Sequence, residues 1–126
     1  MSQFSTELIK VNFSYLVQAF GFIIIDEREE PNIMGNGFIT YQSNATLIRI
    51  VIDRSQVLLN VGEVNAPERE WLEFSDVIHY FKPEFGEVYD FSNEASIEKQ
   101  AKRVSELLRK YCEPILIGDF SIKDLI

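Results

Sequence analysis

Ala45-Thr46-Leu47-Ile48-Arg49-Ile50-Val51-Ile52 is the stretch on which the fold turns. Ile48, Ile50 and Ile52 fall on one face of an extended chain and Leu47 and Arg49 on the other, the period of two that a half-buried strand requires. On its N-terminal side Ser43-Asn44 supplies a tight turn back to Phe38-Ile39-Thr40-Tyr41, a second strand introduced by Met34-Gly35-Asn36-Gly37, residues that tolerate positive φ. On its C-terminal side Asp53-Arg54-Ser55-Gln56 turns the chain into Val57-Leu58-Leu59-Asn60-Val61, before Gly62. Further upstream, Phe22-Ile23-Ile24-Ile25 is another β-branched run, expected to end at the polar series Asp26-Glu27-Arg28-Glu29-Glu30-Pro31. Connections this short favour an antiparallel meander of four strands, because parallel pairing needs a crossover of about a dozen residues.

Helical periodicity flanks the strands. Ile9, Phe13, Leu16 and Phe20, with Val17 beside them, make one apolar stripe over residues 5–20, and Gly21 stands where a left-handed cap would end that helix. Pro67 followed by Glu68, Arg69 and Glu70 reads as a second helix start, with Trp71, Phe74, Ile78 and Phe81 as its stripe, widened by Leu72 and Val77, and an end near Lys82 ahead of Pro83. Ser92 or Asn93 can cap a third helix with Ile97, Ala101, Val104, Leu108 and Tyr111 on one face, ended by Pro114. Glu98 with Lys102 and Glu106 with Lys110 stand at favourable spacing for ion pairs. The tail, including Gly118-Asp119-Phe120, is too short to assign. This element order predicts a single α+β domain over residues 1–126: an N-terminal helix, a four-stranded antiparallel meander, then two C-terminal helices packed on the sheet. A two-sheet or barrel-like closure is the alternative.

Composition narrows the function. The chain has 126 residues, 46% hydrophobic and 25% charged, enough apolar material for a core without disulfide or metal. Cys112 is the only cysteine, no apolar run reaches the roughly 20 residues of a membrane span, and the first residues lack a secretory signal's basic start. A cytoplasmic setting is therefore expected. Twelve basic against twenty acidic side chains give a net charge of −8, which disfavours nucleic acid and anionic membranes as partners.

That charge is unevenly placed. Residues 63–94 hold nine acids and two bases, a balance of −7, while the third helix, with Lys99, Lys102, Arg103, Arg109 and Lys110 against Glu98 and Glu106, stands at +3. Aromatics lie among the acids. Trp71, Phe74 and Phe81 are expected to face the core, leaving Tyr80, Phe85 and Tyr89 freer to be exposed. The candidate partner-binding set is accordingly Glu68, Glu70, Glu73, Asp76, Tyr80, Glu84, Phe85, Glu87, Tyr89 and Asp90, in which aromatic anchors ringed by carboxylates would engage a basic protein. The same acids also read as the solvated side of a helix and loop, kept for solubility.

Catalytic constellations are sparse, and no catalytic residue or cofactor is assigned. Glu73, Asp76 and His79, the only histidine, recur every three residues and could hold a divalent ion, so a small metal-dependent enzyme centred on Asp76 and His79 is one alternative. Cys112, on a last helical turn, sits where the dipole disfavours a thiolate. Residues 34–37 precede a strand and do not form a phosphate-binding loop. A third class is a structural protein that self-associates through a sheet edge, the uncharged segment Phe38 to Tyr41 offering one; a monomer or weak homodimer is expected.

Phe20-Gly21-Phe22 at the first helix end, the hairpin Ile48-Arg49-Ile50-Val51-Ile52-Asp53-Arg54-Ser55-Gln56-Val57, Trp71-Leu72 with Val77-Ile78, and Gly118-Asp119-Phe120 resemble small bacterial α+β proteins of unknown function. Some of these look like immunity proteins of polymorphic toxin systems, which bind and neutralise a toxin. The resemblance spans most of the chain, implies a shared fold and a non-enzymatic, partner-binding role, and transfers no catalytic residue.

Overall fold

A computed structural model describes residues 5–29, 36–90 and 96–126. The chain is α+β, with several helices and one five-stranded antiparallel sheet: β1 (Ile23–Glu29), β2 (Gly37–Gln42), β3 (Thr46–Asp53), β4 (Gln56–Glu63) and β5 (Leu72–Glu73), in that spatial order. The meander is as expected, but the strand count is five, not four. Register follows the alternation of β3: Ile48, Ile50 and Ile52 face Val61, Leu59 and Val57 of β4 and Tyr41, Ile39 and Gly37 of β2. Apart from Gly37, these side chains are almost wholly buried and form the inner face of the sheet.

The helices α1 (Ser5–Asn12), α3 (Phe74–Phe81) and α4 (Ile97–Tyr111) close that inner face. Ile9, Phe13 and Leu16 enter the core from the N-terminal segment, Phe74, Val77 and Ile78 from α3, and Ala101, Val104 and Leu108 from α4. The N-terminal helix is not continuous over residues 5–20. It breaks at Phe13 (φ −108°, ψ 19°) into α1 and α2 (Ser14–Gln18), which leaves Val17 exposed and Phe20 only half-buried. Gly21 does take the positive φ expected of it, +73°, turning the chain so that the Phe22 amide donates to the Leu16 carbonyl at 2.9 Å.

Three further boundaries move for identifiable reasons. Strand β1 runs through Asp26-Glu27-Arg28-Glu29 because it is an edge strand, and two of its carboxylates serve α1 instead of a sheet interior. Glu27 lies 2.9 Å from Lys10 Nζ, and Glu29 accepts both the amide and the hydroxyl of Thr6 at 2.8 Å, satisfying a donor at the helix start. The helix expected from Pro67 begins only at Phe74: Glu68–Glu70 is a single 3-10 turn, and Trp71 and Leu72 are extended. Leu72 and Glu73 pair with Val61 and Asn60, so the acids at 68 and 70 are not a first helical turn. Its end at Lys82 is as expected.

The expected caps Ser92 and Asn93 lie outside the described residues. Helix α4 starts after Ser96, whose hydroxyl accepts the Lys99 amide at 3.1 Å, and runs 15 residues with its predicted stripe inward. The ion pairs Glu98–Lys102 and Glu106–Lys110 are not closed. Past Cys112 the chain kinks into α5 (Glu113–Leu116), with Pro114 inside its first turn, and ends in a 3-10 segment, Ser121–Leu125. The tail is thus ordered, with Phe120 and Ile122 buried. Phe38 to Tyr41, expected as a free edge, lies in β2 and is paired on both sides. Among the described residues no helix is long and apolar enough to cross a membrane.

Candidate functional site

Among the described residues no α-helix packs on the outer face of the sheet, and the strand registers arrange it in three rows. One row holds Ile23, Gln42, Leu47 and Gly62; the middle row Asp26, Thr40, Arg49, Asn60 and Glu73; the third Arg28, Phe38, Val51 and Leu58. Two largely apolar rows thus flank a polar one. Trp71 lies flat on Gly62, where an added Cβ would stand 2.6 Å from the indole ring, so glycine is what lets the ring reach the strand. Its Nε1 donates to the Ala66 carbonyl at 3.3 Å.

Arg49 organises the centre of this face. Its guanidinium stacks 4.9 Å from the Trp71 ring and 5.7 Å from Phe38, its Nε donates to Thr40 Oγ1 at 3.0 Å, and Glu68 binds Nη1 at 2.6 Å. Trp71, expected in the core, is therefore half-buried on the outside, and Phe38, Leu47, Val51 and Leu58 around it are likewise only half-covered. An arginine held between two aromatics with acids beside it has the composition of an interface centre. The signal for Arg49 was present in the alternation of β3; nothing local in the sequence revealed its aromatic partners.

The ten acidic-segment residues do not form one open patch. Glu68 is engaged by Arg49, and Glu70 shares Lys123 with Glu63, at 3.0 and 3.4 Å; the Glu70 hydrogen bond first, and then Glu63, raise the lysine pKa against an opposing desolvation. Glu73 caps α3: it accepts the Ser75 amide at 2.8 Å, the Ser75 hydroxyl, and the Tyr89 hydroxyl at 2.7 Å. Burial, and next the Glu73 carboxylate, push the Tyr89 phenol well above its ordinary range. Tyr89 also bonds the backbone of Leu59, so it is a structural clasp and not an exposed anchor. Phe85 is half-buried between Tyr111 and Arg103. Glu84 pairs with Lys82 at 3.0 Å, and its carboxyl is held low by its own backbone amide and by that lysine. Asp76, Tyr80, Glu87 and Asp90 remain exposed around α3 and the following loop.

The opposite sign gathers on α4. Among the described residues Lys99, Lys102, Arg109 and Lys110 close no ion pair; Arg109 stacks 4.9 Å from the Tyr15 ring and Lys110 5.2 Å from Tyr111. The lopsided charge of the sequence survives folding, though its acidic pole is partly neutralised from within.

Catalytic alternatives find little geometry. Glu73 is occupied by Ser75 and Tyr89, and His79 Nε2 stands 2.9 Å from the Gly86 carbonyl, which can only accept, so the ring donates there. Among the described residues no group of three or more metal-ligating side chains is close enough to hold an ion. Burial pushes the Cys112 thiol up to about 12, far from a nucleophile. A cleft of about 390 Å³ beside Phe20, Ala45 and Ile117 has no ionisable side chain in its lining. Comparison with known proteins returned no matching family model, no matching curated protein and no matching solved structure.

Proposed function

We propose that this chain is a non-enzymatic protein-binding module of the cytoplasm that presents the outer face of its sheet, centred on Phe38, Arg49 and Trp71, to a basic protein, with toxin neutralisation as its biological form. The supporting observation is the aromatic–arginine stack on the sheet face opposite the helices, where Phe38, Val51, Leu58 and Trp71 are only half-buried. Half-exposed apolar rows supply desolvated contact area, and Glu68, Glu70 and Asp26 border it with negative charge. A net charge of −8 steers a cationic surface toward that border and repels anionic competitors. Of the acidic segment, Glu68 and Glu70 serve this surface directly; Asp76, Tyr80, Glu84, Glu87 and Asp90 extend the acidic field along the α3 side.

The test is purification of the tagged chain from its native host at low salt, in parallel with Trp71→Ala. A basic protein that accompanies the parent chain and loses about thirtyfold or more in affinity for the variant supports the reading, as a central aromatic anchor demands. Retention of the same partner by Trp71→Ala, or a partner of acidic charge, overturns it. For a toxic partner, co-expression with the parent chain restores growth and co-expression with the variant does not.

A further inference from the structure

We infer that β1 is a pairing edge for an extended basic segment of the partner, which adds to the sheet as a sixth strand. The inference rests on the reading of the partner as a basic protein but uses a different surface from the aromatic face.

The two edges of the sheet are treated oppositely. At the far edge, β5 reaches only Asn60 and Val61, and side chains take over where it stops. Gln100 accepts the Val57 amide at 2.9 Å and donates to the Ser55 carbonyl at 2.6 Å, while the Tyr89 hydroxyl, its proton directed to Glu73, accepts the Leu59 amide at 3.2 Å. That edge has been closed residue by residue. Among the described residues strand β1 is paired to β2 alone over its seven residues, and Ile23, Ile24 and Ile25 stand 62%, 36% and 48% exposed in succession. An open edge with aliphatic side chains is a template for an incoming strand.

Charge decides between occupants. Antiparallel pairing of β1 with a second copy, in any register longer than three residues, either opposes two carboxylates or sets isoleucines against charged side chains, and parallel in-register pairing stacks each charge on itself. The irregularity between Ile24 and Asp26 further twists the strand away from flat self-assembly. A foreign strand with aliphatic residues against Ile23–Ile25 and lysine or arginine against Asp26 and Glu29, which pair with no lysine or arginine among the described residues while Glu27 is already paired with Lys10, satisfies both halves. Lys10 and Thr6 hold Glu27 and Glu29 in position beforehand.

The experiment uses a blocked eight-residue peptide of four lysines followed by four valines, which antiparallel pairing sets against Asp26–Glu29 and Ile23–Ile25, titrated into the full chain while backbone amides are followed by NMR. Slowed amide exchange confined to residues 23–29, with affinity falling about tenfold when alternate peptide nitrogens are methylated and again in Ile25→Lys, supports the inference. Equal binding of the methylated peptide or of a glutamate–valine counterpart, shifts centred on residues 68–76, or no binding at millimolar peptide overturns it. Trp71→Ala separates the two proposals, because it removes the aromatic face and is expected to leave this titration unchanged.

Discussion

The two faces of this sheet are made by alternate residues of the same strands and end in opposite conditions. On the inner face Ile39, Ile48, Ile50, Leu59 and Val61 are buried to within 1% under the helices. On the outer face Phe38, Leu47, Val51, Leu58 and Trp71 are only half-covered, and the row between them is polar. The inner set is aliphatic and branched, suited to close packing. The outer set mixes three aliphatics with two aromatics around a polar row that holds Arg49, suited to a surface that must be stable in water and still adhesive. The difference separates what the fold needs for itself from what it can offer another molecule.

Several experiments would break or sharpen that contrast. Ile50→Ala on the inner face should cost about 2–5 kcal/mol in urea unfolding, against under about 1 kcal/mol for Val51→Ala on the outer face. Equal losses would mean the outer face is packed after all. Alkaline pH probes the same interior. Burial raises the Tyr15 phenol from 10.0 to about 12 and the Cys112 thiol from 9.0 to about 12, so both are protonated in the fold when the unfolded chain has lost its protons. Their contribution is complete below pH 9 and is lost as pH climbs to 12, a decline on the order of a few kcal/mol that unfolding midpoints between pH 8 and 12 would record.

Gln100→Ala leaves the Val57 amide and Ser55 carbonyl without their partner and should cost about 1–3 kcal/mol, with faster exchange at the Val57 amide. Gly62→Ala drives a Cβ into Trp71 and should cost about 1–3 kcal/mol while shifting the emission of the only tryptophan; an unchanged spectrum would show the indole is not seated there. The smallest effect runs the other way. The Tyr41 hydroxyl is buried with no hydrogen-bond partner among the described residues, so Tyr41→Phe should be neutral or stabilising by up to about 1 kcal/mol in the same unfolding assay.

Most of the fold was legible because its signals are local. The alternation of residues 45–52, the helical stripe from Ile97 to Tyr111 and the positive φ of Gly21 each depend on near neighbours, and each is found where expected. The errors share one cause, long-range pairing. Asp26 to Glu29 look too polar for a strand unless it is known that they lie at an edge and that Lys10 and Thr6 await them. Trp71 keeps helical spacing with Phe74 and Ile78, yet Gly62, nine residues earlier in the chain, draws it outward. Among the candidate site residues the sequence located the acids, but whether a carboxylate is spent on Arg49, Lys123, Ser75 or Tyr89 depends on elements remote from it.

The sequence by itself determined that there would be an α+β domain with an antiparallel meander, because side-chain period and turn chemistry act over a few residues. Tertiary structure alone decided which sheet face stays open, which edge is sealed and which acids remain unengaged. Those outcomes follow from contacts between segments 20 to 60 residues apart, such as Thr6 with Glu29 and Glu63 with Lys123, whose free energy exists only once the chain has closed on itself.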